Sequence, residues 1–196
     1  MTEIDESKGP SHQDVSDLVV RLIGSEWPTS DAERRAWFRT YGLPDSDGVG
    51  RQSKNGDGDS FDAPIGLEWP GCGFGWHRFR DEFVGVRWFV WGGLARNDVR
   101  ARAAGLKARL TEQLGTPVDA VDEEPRTQLG STSLWKSGSR TVDMYFHTGI
   151  HHRRDGTTVD GPAVVQLHVD HTQRSEAKDA VAYKNQAVAR RPQPRV

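Results

Sequence analysis

The chain has one cysteine, Cys72, among its 196 residues, so no internal disulfide can staple it. A lone thiol suits a reducing compartment. Neither sign of charge is in excess: 26 lysines and arginines face 28 aspartates and glutamates, for a formal net charge of −2. Such a balance offers no field to steer nucleic acid or an anionic membrane, so neither is expected as a partner. No stretch approaches the roughly 18 apolar residues of a membrane span. The acidic opening Met1-Thr2-Glu3-Ile4-Asp5-Glu6 is unlike a signal peptide. These shortages predict a soluble, cytoplasmic protein. Signature motifs are missing too: the sequence has no GxSxG, no GxxxxGK[ST], no GxGxxG opening a helix, no HExxH and no paired CxxC. No cofactor and no catalytic residue is therefore expected.

What is present fits one domain. Hydrophobic residues make up 35% and mean hydropathy is −0.70, so part of the chain stays outside the core. The polar excess marks residues 1–13 and 189–196 as disordered ends of a domain spanning 14–188, with long loops at 44–66 and 148–161. Val15, Leu18, Val19, Leu22 and Ile23 form the stripe of an amphipathic helix closed by Gly24. Ser30 and Glu33 have capping-box spacing and open a second helix that buries Trp37 and Tyr41 and stops at Gly42-Leu43-Pro44. One short strand fits between Leu67 and Phe79. Glu82–Trp91 is the strongest strand, with Val84, Val86, Trp88 and Val90 on one face and Phe83, Gly85, Arg87, Phe89 and Trp91 on the other.

A long helix fits Asp98–Leu114, ended by Gly115 and Pro117. Ser133–Lys136 and Arg140–Phe146 read as a hairpin, Ala163–Val169 as a last strand and Arg174–Val188 as a final helix. The expected order is α-α-β-α-β-β-β-α. The expected class is α+β, an antiparallel or mixed sheet of four to five strands with helices on one face.

Three features invite functional readings. Histidines 147, 151, 152, 168 and 171 crowd one region, and a metal-dependent enzyme would draw on His147, His151 and His152. Pairing the last two strands across the 148–161 loop with partner numbers summing to about 309 sets His168 opposite Thr141 and His147 opposite Pro162. That separates the two histidines by about 20 Å at roughly 3.3 Å per residue, and surface histidines are the better reading. Asn55, Asp57, Asp59 and the Phe61 carbonyl imitate half a calcium loop. The turn glycine falls at Ser60 and the bidentate glutamate at Gly66, so the loop reads as solvated. Cys72 lies between two glycines with only His77 nearby as a base, too little for thiol catalysis.

The seven tryptophans are the more pointed signal, because tryptophan and arginine anchor interfaces. Trp88 reads as core, while Trp91, sharing a face with Arg87 and Phe89, reads as an exposed patch. The helix end Leu114-Gly115-Thr116-Pro117, the tryptophan strand at Trp135, the return strand Arg140–Phe146 and the tandem N-terminal helices with Trp27 before Ser30 resemble small actinobacterial α+β proteins. The arginine-rich composition, 20 Arg to 6 Lys, fits a GC-rich genome of that kind. Some such proteins resemble immunity partners of secreted toxins, and the resemblance implies binding without catalysis. The expectation is a protein-binding protein, immunity or chaperone-like, using Arg87, Phe89 and Trp91. Asp57 and Asp59 would suit a basic toxin as partner. A structural role in a larger assembly is the remaining alternative.

Overall fold

The computed structural model describes residues 9–45, 51–52, 58–63, 73–121, 129–152 and 157–189. Two helices open the chain, α1 (His12–Ile23) and α2 (Asp31–Tyr41). α1 starts three residues before the apolar stripe because Ser11 and Asp14 cap it reciprocally. Ser11 Oγ accepts from the Asp14 amide at 3.1 Å, and Asp14 Oδ2 accepts from the Ser11 amide at 3.0 Å. At α2, Ser30 Oγ accepts from the Glu33 amide, but the Glu33 carboxylate takes the amide and hydroxyl of Thr29 instead of closing the expected box.

Among the described residues ten strands follow: β1 (Arg51–Gln52), β2 (Asp59–Ala63), β3 (Gly73–Phe79), β4 (Glu82–Val90), β5 (Asp119–Val121), β6 (Leu129–Ser137), β7 (Arg140–His147), β8 (Ile150–His152), β9 (Thr158–Asp160) and β10 (Val164–His171). Helix α3 (Arg96–Leu114) links β4 to β5, and α4 (Thr172–Ala189) continues directly from β10. Eight strands form one antiparallel sheet in the order β1-β2-β3-β4-β10-β7-β6-β5, and β8 pairs only with β9. The α+β class is as expected. The sheet is wider than four or five strands because β1 and β2 lie within the stretch 44–66 read as a loop and β5 precedes the β6–β7 hairpin, while β8 and β9, within 148–161, form a separate pair. Both sheet edges are short, at two and three residues, which limits pairing with other chains.

The sheet has one apolar face. Phe61, Phe74, Trp76, Val86, Trp88, Val90, Val165, Leu167, Val169, Val142, Met144, Phe146 and Trp135 are all buried there. α1 covers this face with Val15, Leu18, Val19 and Leu22, and α3 with Val99, Ala103, Leu106 and Leu110. α2 adds Trp37 and Phe38, whose rings meet Phe83, Phe74 and Trp76. Each fully buried large apolar side chain contributes about 1.5–3 kcal/mol relative to exposure. The expectation that all helices share one face fails for α4. Its Ser175 bonds Asp170, and its Glu176 accepts from Lys136, both on the opposite face.

β4 departs from strict alternation at both ends, which corrects the reading of Phe83 and Trp91. The register shifts between His77 and Arg78, so Arg78 pairs with Phe83, His77 with Gly85, and Val84 is left over. Phe83 thereby joins the apolar side, stacked 5.2 Å from Trp27. At the other end Trp91 takes a left-handed φ of 62°, breaking the period of two. Its ring turns under the helices and is 0% exposed. The indole N–H donates to Pro10 O at 2.9 Å, His12 meets the ring edge-on, and the Arg102 guanidinium stands 5.7 Å from its centroid. Trp91 is an internal anchor for the N-terminal segment, not an exposed neighbour of Arg87.

Gly85 shows how tightly the centre is built. A Cβ there would lie 1.8 Å from Asp170 Oδ1 and 2.6 Å from Val169 O. Gly85→Ala is expected to lower stability by about 1–3 kcal/mol through overpacking, read as a lower urea midpoint at unchanged slope.

Candidate functional site

Antiparallel register fixes which side chains share the second face. Three rows cross it. One runs Ser60, His77, Gly85, Asp170, Thr141, Lys136; the next Asp62, Gly75, Arg87, His168, Asp143, Leu134; the third Gly73, Phe89, Gln166, Tyr145, Thr132. Where the first face is hydrocarbon, this one is built from ionisable, amide and hydroxyl groups. Glycines at 73, 75 and 85 leave its floor low. A Cβ on Gly73 would touch the Phe89 ring at 3.5 Å, and one on Gly75 would stand 2.9 Å from Arg87 Nε. Phe89, Arg87 and the Asp170 carboxylate lie in that space.

Arg87 and Asp62 form the outward part of the face, Arg87 Nη2 donating to Asp62 Oδ1, with side chains 26% and 47% exposed. Deeper in, His77 Nε2 stands 3.4 Å from Asp170 Oδ1, both side chains buried. Ser175 Oγ of α4 donates to the other Asp170 oxygen at 3.2 Å. Gln166 links two histidines: His147 Nε2 donates to its Oε1 at 2.9 Å, and its Nε2 donates to His168 Nε2. The latter bond requires a bare ring nitrogen, so His168 is neutral. Tyr145 sits between the two rings, 6.2 Å from His147 and 5.8 Å from His168.

Proton affinities follow from this packing. Burial, against the opposing pull of Asp170, lowers His168 to about 4; His77, Arg87 and Lys178 add to the lowering. Burial raises Asp143 to about 6, helped by the charges of Asp170 and Asp179, with Lys136 opposing. Burial, then Asp143, Asp170 and Asp179, push Tyr145 up to about 12. Burial also works against the Asp170 carboxylate, but His77, His168 and Lys178 together hold it below the usual range.

The expected site residues fare differently. Arg87 and Phe89 lie on this face, as the alternation of β4 requires. Trp91 does not, as described above. Asp59 is paired at 2.8 Å with Arg78 across β2 and β3, and Asp57 lies outside the described residues, as do Cys72 and Trp69. The partner sum for β7 and β10 is two larger than expected, setting Val164 opposite His147 and His168 opposite Asp143. His147 and His168 are thus closer than the earlier spacing implied and share Gln166. Of His151 and His152 only the backbone, paired in β8 and β9, is described. Among the described residues, no three His, Cys, Asp or Glu side chains converge as a metal site, and no helix is long and apolar enough to cross a membrane.

The residues of this face that the sequence reading did not assign to it are Asp143, Tyr145, Gln166, Asp170 and His77, the last weighed there only as a base beside Cys72. Their signal was the polar half of three alternating strands, together with glycines at alternate positions of β3.

No family model matches the chain, no curated protein matches it, and no solved structure matches it.

Two groups here titrate in one window with opposite effect. Between about 3.8 and 6 the folded state holds a proton on Asp143 that the unfolded chain has released, so this term loses stability as pH rises. Between about 4 and 6.5 the unfolded chain protonates its histidine while His168 stays neutral, so this term loses stability as pH falls. Asp143→Asn should therefore leave a protein that weakens from pH 6.5 to 4. His168→Gln should leave one that strengthens over the same range. Urea midpoints at half-unit steps check both signs.

Proposed function

We propose that the chain is a non-catalytic protein-binding protein that engages another protein through the polar face of its sheet. An immunity or chaperone-like role, blocking or escorting the partner, is the finer form of this reading. The observation that carries it is the pairing of Arg87 with Phe89 on that face. An arginine and an aromatic ring stand two residues apart on a rigid central strand. Arg87 is held by Asp62, and both side chains lie in the low floor left by Gly73 and Gly75. Arginine and aromatic side chains dominate binding energy at protein interfaces. Holding them in one geometry beforehand reduces the entropy lost on association.

A second reading, an enzyme, draws on the buried His77–Asp170 pair beside His168 and Asp143, because shifted proton affinities cluster at reactive sites. Its metal-dependent form would add His147, which is bonded to Gln166.

One experiment separates them. The protein is immobilised, exposed to extract of its native host, and the bound material identified by mass spectrometry, with metal analysis on the same sample. A stoichiometric protein partner is expected. Arg87→Ala and Phe89→Ala should each weaken its binding by about tenfold or more, roughly 1.4 kcal/mol. Trp91→Phe, altering a buried ring, should leave it within about twofold on the same scale. Metal near one per chain with no protein partner would sink the binding reading in favour of the enzyme.

A further inference from the structure

Helix α4 leaves β10 without an intervening loop and turns back across the polar face of the sheet. Its first turn meets the row that carries Asp170. The Thr172 and Thr141 hydroxyls stand 3.3 Å apart, and Ser175 donates to Asp170 at 3.2 Å. One turn on, the charges of Lys178 and Asp179 are felt at His168 and Asp143 in the next row. The helix therefore stands over the part of the face that holds the His77–Asp170 pair.

It is held there unlike the helices of the other face. α1 buries Val15, Leu18, Val19 and Leu22, and α3 buries Val99, Ala103, Leu106 and Leu110. On α4, Arg174, Ser175, Lys178, Val181 and Ala182 point inward at helical spacing, and each is only partly buried. The hydrophobic term that fixes the other helices is small for this one. Docking also leaves polar atoms unserved. Asp170 Oδ1 and His77 Nε2 are shut off from solvent at 3.4 Å from each other, and neither has a hydrogen-bond partner among the described residues. Such atoms make the covered state costly, and hydration relieves them.

One side chain opposes release. Arg174 Nη1 donates to Pro28 O at 3.0 Å and to Phe83 O at 2.8 Å, and Glu82 Oε2 lies 3.5 Å from Arg174 Nε. This ties the first turn of α4 to the connection between α1 and α2 and to the start of β4. Charge-assisted bonds of this kind outweigh a hydroxyl bond or the exposed Lys136–Glu176 pair.

We propose that α4 is a strap that swings about His171–Thr172 as one unit while the rest of the fold stays intact. Arg174 is its clasp, and its lifting uncovers the His77–Asp170 pair and extends the surface on which Arg87 and Phe89 lie. Opening is a property of the chain alone and does not depend on the protein-binding reading.

Hydrogen exchange of the full chain, followed by NMR residue by residue, tests it. The interior amides of α4 are expected to share one protection factor, about a hundredfold or more below those of α3. Arg174→Ala should lower the α4 value by about a further tenfold and leave α3 within about twofold. Ser175→Ala, which removes one bond at the same interface, should act in the same direction more weakly, and it decides the matter if Arg174→Ala does not fold. Labelling with diethyl pyrocarbonate, located by peptide mass spectrometry, gives a readout that fraying of the far end would not move. His77 should react faster in the folded variant in proportion to the lost α4 protection, with His147 unchanged. Protection of α4 equal to that of α3, no protection of α4 at all, or a graded loss towards Ala189 in place of one shared value would each overturn the inference. So would an equal loss in α3, or an unchanged His77 rate in a folded variant.

Discussion

The pairing of β10 with β4 is the constraint on which the rest of the molecule depends. Val165 faces Val90, Leu167 faces Trp88 and Val169 faces Val86, so two central strands present hydrocarbon to the same side. Strand side chains alternate, so this register also sends Gln166, His168 and Asp170 to the other side beside Phe89, Arg87 and Gly85. A slip of one residue would place imidazole and carboxylate against α1 and α3 and strand the valines in the polar layer. The three helices on the apolar side and the histidine network on the other are consequences of one choice of partners.

The two faces are held by different physics. On the apolar side, ring edges and aliphatic side chains pack with almost no exposed area, and the cost of an error is a cavity. On the polar side, stability depends on satisfying each donor and acceptor, and an error leaves a charge without compensation. Helix α4 belongs to this second regime. Arg174 donates to the carbonyls of Pro28 and Phe83, Ser175 to Asp170, and Glu176 accepts from Lys136. None of its side chains that can be described is fully buried. Its attachment is therefore set by hydrogen bonds and charge more than by hydrocarbon contact.

The sequence made much of this legible, and the places where it did not have identifiable causes. The stripes of α1 and α3 and the alternation of β4, β7 and β10 are local patterns, and they appear where periodicity puts them. The α+β class follows from those patterns. Trp91 was misread because alternation was carried one residue past the strand, through a left-handed backbone that a tryptophan rarely adopts and that its bond to Pro10 compensates. Phe83 was misread for a related reason, the bulge beside Val84. Asp59 looked like part of a solvated acidic loop because its partner Arg78 lies on a neighbouring strand, and strand pairing is a non-local fact. His77 and Asp170 are far apart in the chain and meet only through β3, β4 and β10, so no local spacing announced them.

Gln166 has one orientation that serves both of its neighbours, oxygen toward His147 and nitrogen toward His168. A primary amide is not symmetrical, so the bond at one end dictates what is available at the other. If a proton reaches His168, its ring nitrogen becomes a donor, and only a reversed amide can receive it. The oxygen then leaves His147, which meets an N–H where it had an acceptor and must surrender its own hydrogen or lose the bond. The protonation state of one imidazole is thus transmitted as an amide rotation to another ring on a neighbouring strand.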